Sequence, residues 1–220
     1  LAEGAVAAAG VIALAGAAAF TFMGQPAVQA QEAPLANGAA ADGPDNWEHY
    51  GRTLSGTRYS PASAITPQNV DKLQVAWTYR TGDIAANYPR TKSAFMFQAT
   101  PIKVDDTLYF CTPHDIVVAL DADSGKVRWR YDPKTNDDGV AMLVCRGVSY
   151  FKAQDPVSDC PARILVGTID GRMIALDAAT GKPCQSFGKN GEISLRDGLG
   201  ATKPGFQYST SPATIIGNAA

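Results

Sequence analysis

The chain has 220 residues, 45% of them hydrophobic, and a formal net charge of −2. That length supplies one domain core with a possible appendage. The balance of 19 basic against 21 acidic residues, with no Lys/Arg cluster, excludes the basic face that phosphate neutralisation demands of a nucleic-acid binder.

In chain order, residues 4–24 come first and carry no charge. Their length is close to the roughly 20 residues that span a bilayer as a helix. Residues 1–24 therefore predict a transmembrane helix. The rival reading is a secretory signal peptide, because Val28 and Ala30 before Gln31 suit signal peptidase. Both readings send the rest of the chain across the cytoplasmic membrane. Residues 25–45, rich in Ala, Pro, Gly and Gln, read as a flexible linker. The chain starts on Leu1 and stops at Ala220 within a strand-like region, which reads as part of a longer polypeptide.

From Trp47 onward the pattern is punctuated strands, with no convincing amphipathic helix after residue 71. Val75, Trp77 and Tyr79 alternate within residues 73–81 and predict a strand. Residues 99–112 predict a hairpin closed by Asp105-Asp106, and residues 115–132 a second closed by Ser124-Gly125. Residues 147–151 and 163–187 continue the series. The stretch "ALDADSGKVRW" (119–129) returns as "ALDAATGKPCQ" (175–185), with Leu120 and Leu176 56 residues apart. A repeat near this length, built from short antiparallel strands, predicts propeller blades. The fold class expected is all-β, about three blades over residues 46–220. Asp121 and its repeat accept from turn N–H groups, and Trp129 and Trp77 are large enough to wedge between sheets. A sandwich with a repeated hairpin would show the same pattern.

Four cysteines stand at 111, 145, 160 and 184. Their spacing is not that of a zinc site. In an exported chain an even count suggests disulfides, with three pairings open. Cys145 with Cys160, flanking a Pro-containing loop, is the expected pair. The paired carboxylates Asp105-Asp106, Asp121 with Asp123, and Asp137-Asp138 all sit in turn contexts, which explain them without chemistry. His114 reads as a satisfied loop histidine and His49 as surface structure.

"ALDADSGKVRW" resembles the tryptophan-docking motif of the pyrroloquinoline quinone (PQQ) dehydrogenases. "YGRTLSGTRYSP", "WTYRTGD", "ATPIKVDDTLYFCTPH", "CRGVSYF", "DCPARI" and "TKPGFQYSTSP" sharpen the resemblance to the membrane-bound glucose/quinate/shikimate branch. It covers roughly residues 47–212. It implies the N-terminal part of an eight-bladed β-propeller on the periplasmic face of the bacterial inner membrane. The cofactors implied are PQQ and Ca²⁺, or Mg²⁺ in its place. The implied reaction oxidises a sugar, cyclic polyol or hydroxy acid and passes electrons to ubiquinone. By the same resemblance Arg146 reaches the PQQ quinone oxygens and carboxylates, Gln98 donates to a PQQ carboxylate, and Thr210 lines the cofactor. Met142 stands where glucose-oxidising relatives carry a His over the PQQ ring. That departure weakens glucose as the substrate and leaves room for quinate, shikimate or another polyol. No catalytic residue or metal ligand of the family pattern falls within these residues. The alternative is a non-enzymatic propeller scaffold of the outer-membrane assembly type, which shares the docking turns. Such scaffolds usually carry a lipidated Cys near the N-terminus, and no Cys precedes residue 111.

Overall fold

The computed structural model describes residues 45–153 and 159–217. The expected transmembrane helix or signal peptide over 1–24 and nearly all of the 25–45 linker lie outside the described residues. Among those described, no helix is long and apolar enough to cross a membrane.

Two four-stranded antiparallel meanders dominate. The first runs β2 (Ile102–Val104), β3 (Thr107–Cys111), β4 (Val117–Asp121) and β5 (Val127–Tyr131) in sequence order. The second runs β7 (Ser149–Lys152), β8 (Ala162–Gly167), β9 (Arg172–Asp177) and β10 (Glu192–Ser194). The remaining strands, β1 (Ala94–Phe95) and β6 (Met142–Leu143), form a short parallel pair. The expected hairpins are present, closed by Asp105-Asp106 and by the 121–126 turn. Two four-stranded sheets are complete among the described residues, where the length suggested about three.

Alternation decides the packing. Tyr109, Val117, Ala119 and Trp129 of the first sheet bury against Ile164, Val166, Ile174 and Leu176 of the second. The opposite face of the first sheet carries Phe110, Ile116, Val118 and Leu120, with Trp77 and Tyr79 packed against them. Central strands are therefore covered on both faces, which is why β4 reads as a continuous apolar run.

The repeated turn is copied bond for bond. Asp121 Oδ1 accepts from Ser124 N (2.9 Å) and Oγ (2.7 Å). Asp177 Oδ1 accepts from Thr180 N (2.8 Å) and Oγ1 (2.7 Å). Each turn receives a tryptophan from the preceding element. Trp77 Nε1 donates to Ala122 O (3.2 Å) and Trp129 Nε1 to Ala178 O (2.9 Å). Gly125 and Gly181, at φ +68° and +71°, leave the room these rings occupy. Tyr109 Oη donates to the same Ala178 carbonyl at 3.0 Å, tying β3 into the second contact.

Two sequence expectations fail. Residues 73–81 form no ladder among the described residues. Trp77 and Tyr79 pack, but Val75 is 83% exposed, so the alternation there is met by packing on one side only. The Cys145–Cys160 bridge does not form; the pairs are Cys111–Cys145 and Cys160–Cys184, with Cα separations of 5.9 and 5.6 Å. The hairpin explains this. Lys152 at the end of β7 pairs with Ala162 at the start of β8, so Cys145 and Cys160 lie at opposite ends of β7, roughly 20 Å apart at the usual strand rise.

Candidate functional site at the strand crossings

Three segments run side by side at one end of the sheets: residues 94–100, 142–148 and 206–212. Ala94 pairs with Met142 and Phe95 with Leu143, in parallel. Met96 N donates to Leu143 O (3.0 Å) and Thr100 N to Arg146 O (2.9 Å). Arg146 N donates in turn to Thr210 O (2.8 Å). The first two segments lead into β2 and β7, so each is the entry into a sheet. The β3–β4 turn, which holds Thr112–Ile116, and the β8–β9 turn lie at this same end. The docking turns lie at the other.

This register places all four candidate cofactor residues on neighbouring crossings. Arg146 and Thr210 are in direct contact, Nη1 of the guanidinium donating to the Thr210 hydroxyl oxygen. Both are half-buried. Arg146 has no ion pair among the described residues. Gln98 is exposed, and Met142, 39% exposed, points away from the side on which Leu143 is buried. No hydrogen bond joins either of them to Arg146.

A cavity of about 450 Å³ opens beside the guanidinium, lined among others by Glu48, Tyr50, Arg58, Arg146, Ser149 and Thr214. Gln98, Met142 and Thr210 do not line it. The Arg146 guanidinium and the Thr210 hydroxyl it touches suit an anionic, oxygen-rich ligand, whereas the Ser149 hydroxyl is committed to Ala213 O and Glu48 adds a carboxylate to the cavity wall. The residues present therefore fit PQQ.

Sequence reasoning missed three features of this end of the sheets. The first is Cys111, covalently joined to the residue before Arg146. The second is a buried pair, Asp83 and His114. His114 Nδ1 lies 2.6 Å from Asp83 Oδ1, and His114 N donates to Asp83 Oδ2 at 2.8 Å. Tyr88 stacks on the imidazole at 4.1 Å, and Phe95 meets it edge-on at 5.0 Å. Burial alone would raise the Asp83 carboxyl; the hydrogen bonds, led by that of His114, outweigh it and hold it below the usual range. His114 is thus a satisfied loop histidine, as expected. The third feature is Asp115, fully buried at φ +59°. Its Oδ2 accepts from Ile169 N of the second sheet's turn (2.9 Å) and from Thr135 Oγ1 (3.2 Å), while Oδ1 has no partner. Burial pushes this carboxyl up to about 8. The sequence held one signal for it: 56 residues on stands Gly171, at φ +80°.

Comparison with known proteins gives the family. Residues 47–220 match the family described as PQQ: Glucose/ethanol/alcohol dehydrogenase, beta-propeller domain. The chain is 43% identical over 178 residues to the quinoprotein glucose dehydrogenase of Escherichia coli, covering 77% of this chain and 22% of that protein. It is 37% identical over 206 residues to the quinate/shikimate dehydrogenase (quinone) of Acinetobacter baylyi, covering 85% of this chain and 25% of the relative. Among solved structures, the quinohemoprotein alcohol dehydrogenase of Comamonas testosteroni superposes with a TM-score of 0.55 at 32% identity, over 73% of this chain and 21% of that one. The chain thus spans roughly a quarter of the length of the relatives it matches. With two docked meanders, a repeated tryptophan clamp and a match over residues 47–220, this chain belongs to the PQQ-dependent quinoprotein dehydrogenase family, in its β-propeller domain.

Proposed function

We propose that residues 46–220 are the first blades of an eight-bladed quinoprotein propeller that oxidises a sugar, cyclic polyol or hydroxy acid. On this reading residues 1–24 anchor the protein in the inner membrane, 25–45 link it, and the propeller faces the periplasm. Ubiquinone takes the electrons. The observation that carries the proposal is Arg146: a half-buried guanidinium, fixed by Thr210 and without an ion pair among the described residues. Its remaining N–H donors suit an anion, and an anionic cofactor is the partner this proposal supplies. Two disulfides support an oxidising compartment.

When bound, PQQ supplies acceptance of the hydride from the substrate's carbinol carbon. Residues of this chain bind and orient. Arg146 offers a fork of N–H donors to quinone and carboxylate oxygens, Thr210 holds that fork and adds its hydroxyl, Gln98 donates an amide N–H, and Met142 covers a flat ring as a polarisable lid. Ca²⁺, or Mg²⁺ in its place, enters this proposal by family resemblance; no group of three His, Cys, Asp or Glu among the described residues forms a metal site.

The test uses the protein at its full natural length, loaded with PQQ and Ca²⁺, and follows dye reduction with glucose, quinate, shikimate and glycerol. Cofactor-dependent reduction with at least one of these is expected, with glucose weakened by Met142. No reduction with any sugar or polyol overturns the proposal.

A further inference from the structure

The two disulfides stand in different places. Cys160–Cys184 closes a loop within the second sheet, packed with Leu165 and Ala175 on the face away from the first. Cys111–Cys145 joins the end of β3 in the first sheet to the segment entering the second, inside the core shared by both. Cys145 is the residue before Arg146.

The repeat supplies an internal comparison. Fifty-six residues after Cys111 stands Gly167, at the end of β8 as Cys111 ends β3. One crossing after Cys145 stands Ser209, as Thr210 follows Arg146 in the chain of crossing bonds. Gly167 and Ser209 meet just as Cys111 and Cys145 do: a Cβ on Gly167 would lie 2.6 Å from Ser209 Oγ. The same contact in the next repeat is therefore made without a covalent bond. The fold closes this joint by packing and a backbone hydrogen bond, Ser209 N to Thr168 O (3.2 Å), where no guanidinium follows, and by a covalent link where Arg146 follows.

We propose that the Cys111–Cys145 disulfide is a positioning element of the cofactor site, fixing the crossing from which the Arg146 guanidinium projects. The proposal rests on the reading of Arg146 as a cofactor contact. The physical reason is the length of the arginine stem. A small displacement of its Cα moves the fork by a comparable amount, and oriented donors lose much of their value when misplaced by about 1 Å. Besides the guanidinium bond to the Thr210 hydroxyl, three restraints act on the Arg146 backbone: its N–H to Thr210 O, its carbonyl from Thr100 N, and the bond at Cys145. The first two tie it to other crossings; the disulfide ties it to a sheet.

The test is an equilibrium PQQ titration, by quenching of tryptophan fluorescence, on the protein at full natural length. The informative variant is Cys111→Gly with Cys145→Ser, which writes the Gly167/Ser209 joint into the first position and so uses a pair this fold already accommodates. Its Kd for PQQ is expected to rise roughly 10- to 100-fold. Cys160→Ser with Cys184→Ser is the control, expected to lower the melting temperature while leaving Kd within about twofold of wild type. Arg146→Lys should weaken binding in the intact protein and cost little more once the first bridge is gone, because the two act as a unit. Wild-type Kd in the Cys111/Cys145 variant, or an equal loss in the control, overturns the positioning role. PQQ binding that is indifferent to Arg146 in the intact protein overturns the cofactor reading instead, and this proposal with it.

Discussion

Asp115 shows how one residue can carry a joint. A left-handed backbone favours glycine, which the next repeat uses at Gly171. Aspartate tolerates that region better than most side chains, and here its carboxyl reaches the neighbouring turn at Ile169. Burial dominates its titration; the Ile169 and Thr135 hydrogen bonds and Arg172 pull the other way without prevailing, and Asp170 adds repulsion. The folded chain thus keeps this proton up to about 8, whereas the unfolded chain releases it near 4. Between those values the folded state binds more protons, so the stabilisation present at low pH is lost as pH rises through the window. Asp115→Asn stays neutral throughout. Its melting temperature should therefore fall less than that of wild type between pH 5 and pH 8.5; parallel falls would show that Asp115 does not carry the effect.

At the scale of elements, the tryptophan clamp is the repeated bond between neighbouring elements. Removing the ring of Trp129 should cost about 3–5 kcal/mol as a large core truncation. Gly181→Ala should be destabilising for two reasons. The left-handed conformation costs a residue with a Cβ about 1–2 kcal/mol. The new Cβ would also lie 2.6 Å from Trp129 Cδ2. Denaturant unfolding of the protein and both variants checks this; a Gly181→Ala midpoint equal to wild type would mean the turn relaxes away from the ring. Much at this scale was legible in the sequence. The 56-residue echo, the Asp-Asp and Ser-Gly turns and the apolar runs they separate are signals that the geometry obeyed. Residues 73–81 carried an alternation and yet form no described ladder, because a period of two reports which faces are buried, not which neighbour supplies hydrogen bonds. The cysteine pairing was not legible. Proximity along the chain favoured Cys145 with Cys160, but a hairpin puts its two entry points at opposite ends. The Asp83–His114 pair, 31 residues apart, carries no local pattern at all.

For the whole molecule, the four candidate cofactor residues occupy three adjacent crossings, tied by successive backbone hydrogen bonds from Thr100 through Arg146 to Thr210. Their chemistry came from resemblance; their adjacency comes from sheet topology, since successive meanders must enter at the same end. The geometry also divides them. Arg146, which lines a cavity, and Thr210 make a hydrogen-bonded pair, while Gln98 stands exposed on the neighbouring crossing and Met142 stands exposed on Arg146's own. On the proposed reading, most of the binding falls to the guanidinium. The most direct measurement is the PQQ dissociation constant of the protein at full natural length, wild type against Arg146→Ala, at equal ionic strength. Loss of a fork of charge-assisted hydrogen bonds, at about 1.5–3 kcal/mol for each bond to a charged group, predicts affinity weakened by roughly tenfold or more. Equal affinity in the two proteins would contradict the account at its centre.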